Sequence, residues 1–249
     1  MNIVLKTDRE LALMREAAVI LKSVQARLKQ EIPKGLSLLE LDHIAESVIR
    51  DAGAEPSFKG YQGFPATLCT MINSEVVHGI PDDRIPQSGD LLCIDCGVLW
   101  KGFHADAAFS VIVGGDKTNP ERATFSRVVR EALQKGCQAA KIGNHIGDIG
   151  AAIEKHIVSH GYSICKEYTG HGLGRALHED PHVYNYGIPG KGQRLLRGMV
   201  LAIEPIVTMG NPQVKTLTDN WTVVTVDGQD ACQWEHCGVV TESSLEIFV

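Results

Sequence analysis

The stretch GHGLGRALHEDPH, residues 170–182, places three histidines and three glycines in thirteen positions. Neutral imidazoles can ligate metal or move protons, and a glycine-rich loop whose histidines merely face water is the alternative. Four carboxylates decide between them. Asp95 lies in the apolar run LLCIDCGVL and Asp106 in FHADAAFSVIV. Glu204 ends MVLAIEPIV, and Glu235 sits in CQWEHCGVV. An unpaired carboxylate buried in apolar surroundings costs several kcal/mol or takes up a proton. Any one acid could sit on an exposed strand edge. All four, together with the histidines, point to a bound cation.

Charge counting sets the stoichiometry, because two divalent ions would neutralise four carboxylates. One imidazole among oxygen donors does not suit a structural zinc site, which would be richer in Cys and His. It suits Mn, Fe, Co or Zn in a hydrolytic role. A loop centred on Trp100 and Lys101 would set Asp95 directly across from Asp106 on one sheet face, an arrangement unfavourable for like charges unless a cation lies between them.

These groups need a frame. Thr7–Glu10 and Ser37–Glu40 are capping boxes. They open helices whose apolar faces are Leu11, Met14, Ala18, Leu21, Val24 and Leu28, then Leu38, Leu41, Ile44, Ala45 and Ile49. Pro33 and Gly35 end the first, and Gly53 stops the second. Asn119-Pro120-Glu121 starts a third helix, and a fourth runs near Asp148 to His160. A shift of 108 residues carries Gly35 onto Gly143, Leu41 onto Ile149, Glu46 onto Glu154 and Gly53 onto Gly161. A shift of 109 carries GDLLCID (89–95) onto GMVLAIE (198–204), so Asp95 falls on Glu204. The chain thus reads as a duplicated helix–helix–strands unit, with halves of about 1–115 and 116–249 joined through GGDKTNPE. The expected fold is α+β, with antiparallel strands of both halves forming one curved sheet and four helices packed outside.

Composition narrows the classes. The 249 residues carry 24 basic and 30 acidic side chains, a net charge of −6, which argues against a mainly electrostatic nucleic-acid binder. The start, MNIVLKTDRE, lacks the apolar stretch of a signal peptide, and no run approaches the roughly 20 apolar residues of a membrane span. Seven cysteines, an odd number, read as reduced thiols in a cytoplasmic protein. Cys93 and Cys96 form a C-x-x-C, but positions three apart on a strand point to opposite faces, so they read as unrelated buried residues.

The segments NSEVVHGIP (73–81), IDCGVLWKGFHAD (94–106), GHGLGRALHEDP (170–181), IEP (203–205) and QWEHCGVVT (233–241) resemble, in order and spacing, those of type I methionine aminopeptidases. The resemblance covers almost the whole chain and implies the pita-bread fold in a single catalytic metallopeptidase domain with pseudo-twofold halves. It implies removal of the initiator methionine from nascent proteins when the second residue is small. By position, the implied metal ligands are Asp95, Asp106, His171, Glu204 and Glu235, with Asp106 and Glu235 bridging two divalent ions (Co, Mn, Fe or Zn). His78 and His178 are implied to contact substrate, His178 at the oxyanion and His78 at the scissile amide, while Glu204 moves a proton. Tyr61, Phe64, Cys69, Leu177 and Trp221 match the methionine pocket. His182 has no role in this scheme and reads as a surface residue.

Gln62 stands where the family often has histidine, Leu177 where an aromatic is frequent, and Ala107 and Ala108 where a hydroxyl residue is often seen. The implied partners are nascent N-termini and the ribosome, with a monomeric enzyme and neither membrane nor specific nucleic acid. The alternative activity is that of a proline-specific aminopeptidase or prolidase sharing the five ligands. Such chains carry a separate N-terminal domain, whereas here the pattern begins almost at residue 1. A non-catalytic relative that binds peptide or nucleic acid would be expected to have lost ligands, and none is missing.

Overall fold

Side chains that replace missing backbone partners set the helix starts. In a computed structural model describing residues 3–249, the Thr7 amide donates to Glu10 Oε2 (3.0 Å) and the Glu10 amide to Thr7 Oγ1 (3.4 Å), opening α1, Asp8–Glu31. Met1 and Asn2, which begin the stretch read for a leader, lie outside the described residues. Ser37 and Glu40 form the same box at α2, Leu38–Asp51. Asn119 caps α3, Pro120–Ala139, by accepting from the Arg122 amide at 3.2 Å. The fourth helix, α4, spans Ile146–Ser159 and so starts two residues before the expected Asp148, whose carboxylate accepts from the His145 amide at 2.7 Å. Met14, Leu21, Val24, Leu38, Leu41, Phe125, Leu133, Ile149 and Ile153 are fully buried, so each helix turns its apolar stripe inward.

The expected curved antiparallel sheet is divided into four hydrogen-bonded sheets. One holds the long hairpin Leu91–Trp100 and Phe103–Ile112 with Leu68–Ile72 and Glu55–Pro56. A five-stranded sheet runs in the order Leu245–Ile247, His236–Val240, Val200–Ile203, Gly170–Gly172, Glu179–Val183. Ala231–Gln233, Ile206–Thr208 and Ser163–Ile164 form a third, and Val214–Thr216, Val223–Thr225 and Glu75–Val77 a fourth. Pro205 gives a physical reason for the division. It has no amide proton to donate to a ladder, so the strand pattern of 200–208 breaks there.

The hairpin corrects one expectation. Asp95 pairs with Ala108 and Asp106 with Gly97, so the two acids are diagonal neighbours on one face, not directly opposed. The turn is Lys101-Gly102, with φ of 48° and 79°, one residue later than the expected centre. Positive φ at both turn residues matches the right-handed twist of the flanking strands and fixes this register. Small residues therefore face each acid across the ladder, which leaves room beside the carboxylates.

The other two acids lie at breaks rather than within strands. Ile203 pairs with His236 and Ile206 with Gln233, so the intervening Glu204 and Glu235 face each other where both ladders are interrupted. The helices hold this frame. The Trp234 indole N–H donates to Ser126 Oγ of α3 (3.0 Å), and Asp42 of α2 accepts from the Thr67 and Leu68 amides (2.9 and 2.7 Å). The Glu235 amide donates to the Ala108 carbonyl (3.0 Å), which ties one break to the hairpin. Among the described residues, no helix is long and apolar enough to cross a membrane.

Candidate metal centre and substrate cavity

One cavity of about 640 Å³ gathers every metal-ligand, catalytic and methionine-pocket residue expected from the sequence. Asp95, Asp106, His171, Glu204 and Glu235 line it together with His78, His178, Tyr61, Phe64, Cys69, Leu177 and Trp221. His182, read as a surface residue, is exposed and also lines it.

The acids come from two kinds of backbone. Asp95 and Asp106 project from the hairpin, while Glu204 and Glu235 project from the paired strand breaks. Atoms of Asp106, His171 and Glu235 lie within 4.8 Å of one another. His171 Nδ1 sits 2.8 Å from the Gly172 carbonyl oxygen, which can only accept, so Nδ1 carries the proton and Nε2 keeps its lone pair. That Nε2 lies 3.9 Å from Asp106 Oδ2 and 3.7 Å from Glu204 Oε1. These are not ion pairs, because burial pushes the His171 imidazole down to about 3 and keeps it neutral.

The carboxylates are strained in the opposite direction. Burial raises Asp95 to about 6. Burial raises Asp106, Glu204 and Glu235 well above the ordinary carboxylate range, and neighbouring carboxylates add to the shift. Among the described residues that line the cavity there is no lysine or arginine. Asp95 Oδ1 and Asp106 Oδ1 are buried without a hydrogen-bond partner. Unpaired acceptor oxygens, a lone-pair nitrogen and uncompensated negative charge fit a divalent cation, which answers all three at once.

Gln233 was not found from the sequence. Its amide nitrogen lies 3.1 Å from Glu204 Oε2 and 3.5 Å from Asp95 Oδ2, which orients two acids at once. A polar amide between Cys232 and Trp234 in an otherwise apolar run was the available signal. Tyr168 was also missed, and its ring meets His78 edge-on at 5.6 Å.

His78 and His178 are exposed on the cavity wall, yet the surrounding protein still lowers both imidazoles from their ordinary value, chiefly by desolvation. His78 adopts φ 58°, an uncommon conformation for a side-chain-bearing residue. The next residue explains how it is held. Gly79 accepts from the Thr70 amide at 2.9 Å, and a Cβ there would overlap the Thr70 carbonyl oxygen. Gly79→Ala is expected to push the His78–Gly79 segment away from Thr70 and to cost about 1–3 kcal/mol. A urea midpoint unchanged from wild type would contradict this.

The apolar wall is built from Phe64 and Trp221, edge to face at 5.1 Å, with Cys69 and Leu177 buried beside them. Burial holds the Cys69 thiol well above its usual range, so it presents a neutral sulfur.

Residues 12–242 match metallopeptidase family M24. The chain is 46% identical over 245 residues to methionine aminopeptidase 1 of Bacillus subtilis, covering 98% of each chain. A solved methionine aminopeptidase of Thermotoga maritima superposes with a TM-score of 0.96 at 36% identity, covering 99% of both chains. The prolidase of Pyrococcus horikoshii has a TM-score of 0.78 at 23% identity, and the chain covers 63% of it, a likeness of fold alone. The architecture is the pita-bread fold that these structures share. A buried set of acids in want of a cation, on a frame matched from end to end, leaves one conclusion: the chain belongs to metallopeptidase family M24.

Proposed function

We propose that the chain is a metal-dependent aminopeptidase that removes the N-terminal methionine of newly made polypeptides whose second residue is small. The observation that carries this reading is one cavity in which five ligand-type side chains lie beside two histidines and an apolar wall. Full-length relatives that bear the name methionine aminopeptidase support it. The reading extends to nascent N-termini leaving ribosomes in the cytoplasm, and to a monomeric enzyme. We read the chain as one catalytic domain with duplicated halves; the packing of α1 on α2 and of α3 on α4 supports that organisation.

In this reading Asp95, Asp106, His171, Glu204 and Glu235 would hold two divalent ions. Co, Mn, Fe and Zn all suit such donors. Ions of this kind polarise an amide carbonyl and lower the pKa of water toward neutrality. The protein's own groups do the rest. Gln233 donates to Glu204 Oε2, which leaves Oε1 to accept a proton from the attacking water. His178 donates from Nε2 to the oxygen that becomes negative as the carbonyl is attacked. His78 hydrogen-bonds the scissile amide nitrogen and eases departure of the amine. Phe64, Cys69, Leu177 and Trp221 enclose the first side chain, and an unbranched thioether fills such a wall without leaving a polar group unpaired.

The test is cleavage of Met-Ala-Ser by metal-reconstituted protein beside a Xaa-Pro peptide. Free methionine from the first and no cleavage of the second is the expected result. The reverse selectivity would replace this reading with the proline-specific one.

A further inference from the structure

We propose that Tyr61 is a positioning residue for His178: its phenol donates a hydrogen bond to Nδ1 and thereby keeps the imidazole proton on Nε2, where the substrate carbonyl is met. This rests on the aminopeptidase reading above and assigns Tyr61 more than a place in the methionine wall.

Tyr61 Oη lies 2.8 Å from His178 Nδ1. The two rings are tilted with centroids 5.3 Å apart, and His178 also meets the His171 ring edge-on at 4.3 Å. The imidazole thus touches both a phenol and a second imidazole, and with Nδ1 taken by the phenol, Nε2 is the nitrogen left to meet a substrate. A neutral imidazole carries one proton, so the partner at Nδ1 determines what Nε2 can do. If the phenol accepts from Nδ1–H, Nε2 presents a lone pair and repels a carbonyl oxygen. If the phenol donates, Nε2–H can support the oxyanion. The phenol is the more acidic of the two groups, which favours donation to the pyridine-type nitrogen.

The surroundings argue that the hydroxyl is there for this bond. An apolar wall for a thioether has no use for a hydroxyl, and on half-buried Tyr61 the hydroxyl is instead turned to the His178 ring. At position 64 the same wall uses phenylalanine, packed edge-on against Trp221. The loop that carries Tyr61 is closed on itself. Gly60 N–H donates to the Phe64 carbonyl (2.8 Å), Tyr61 N–H to Phe58 (2.9 Å) and Phe64 N–H to Tyr61 (2.9 Å). Gln62 within it adopts φ 49°, a conformation that a side-chain-bearing residue holds only where surrounding contacts enforce it. A rigid loop of this kind aims the phenol rather than letting it swing.

Tyr61→Phe separates the two roles because it keeps the ring and deletes only the hydroxyl. The expected result is a fall in kcat of about tenfold on Met-Ala-Ser, with KM within about twofold of wild type, as for other lost orienting hydrogen bonds. Metal content should match wild type. Imidazole nitrogen NMR should show His178 protonated on Nε2 in the wild type and as mixed tautomers in the variant. Unchanged kcat, or a wild-type spectrum with the proton on Nδ1, overturns the proposal. Wild-type protein that fails to cleave Met-Ala-Ser while showing the Nε2 tautomer would instead overturn the aminopeptidase reading and leave the Tyr61–His178 bond standing.

Discussion

His171→Ala is expected to remove peptide cleavage and weaken metal uptake together, whereas His178→Ala slows cleavage and leaves metal content at the wild-type level. The two rings touch, with centroids 4.3 Å apart, and come from the same glycine-rich stretch, so proximity alone does not separate them. Their polar partners do. His171 is buried, with Nδ1 committed to the Gly172 carbonyl and Nε2 turned toward Asp106 and Glu204. Its loss removes the single nitrogen donor from a set of carboxylates and so weakens their hold on a cation. His178 is exposed, and its Nδ1 faces Tyr61 instead of an acid. Loss of one oxyanion donor lowers kcat by about 10²–10³-fold without touching the metal donors. Metal analysis of both purified variants beside Met-Ala-Ser turnover checks the division. Equal metal loss in both would show that it is wrongly drawn.

The second large effect is on stability. Metal-free protein is expected to lose stability as pH rises from about 6.5 to 8, and divalent metal is expected to remove that slope. In an unfolded chain aspartate and glutamate ionise near about 4. In the folded chain burial lifts Asp95 to about 6 and Asp106, Glu204 and Glu235 well above their ordinary range. The folded state thus binds more protons, its advantage is complete at low pH, and it is lost as pH rises through the folded values. Histidines oppose this at lower pH. Burial holds His171 at about 3 and His104 at about 4, so they favour the folded state increasingly as pH rises toward their unfolded value near about 6.5. Above that point their contribution is constant and the carboxylates dominate, until thiols of the unfolded chain begin to ionise near about 8.5. Metal at about 100 times its Kd adds about 2.7 kcal/mol, or about 5–10 °C in Tm for a chain of this size. Calorimetry across this window with chelator, then with Mn²⁺, measures both quantities. A flat chelator profile would mean that burial does not hold extra protons on these carboxylates.

Much of the site was legible because its signals are local. Asp95 and Asp106 stood out by interrupting continuous apolar runs, and their placement on one face followed from alternation along a hairpin. Thr7, Ser37 and Asn119 announced helix starts through interactions that span three residues. The hairpin register was misjudged by one turn position, since backbone twist at Lys101-Gly102 decides it and no side-chain pattern reports twist.

What the amino-acid order determined by itself was therefore the inventory: which acids are out of place in apolar strands, which helices flank them, and the family that those motifs resemble. What only the tertiary structure decided was which distant groups meet. Gln233 bridging Glu204 and Asp95, Glu204 facing Glu235 across two interrupted ladders, and the Tyr61 phenol on His178 all join segments remote in the chain. Periodicity records which side of an element is apolar, whereas a contact between remote segments depends on how whole elements pack, and packing is set by the sum of many weak contacts rather than by any spacing along the backbone.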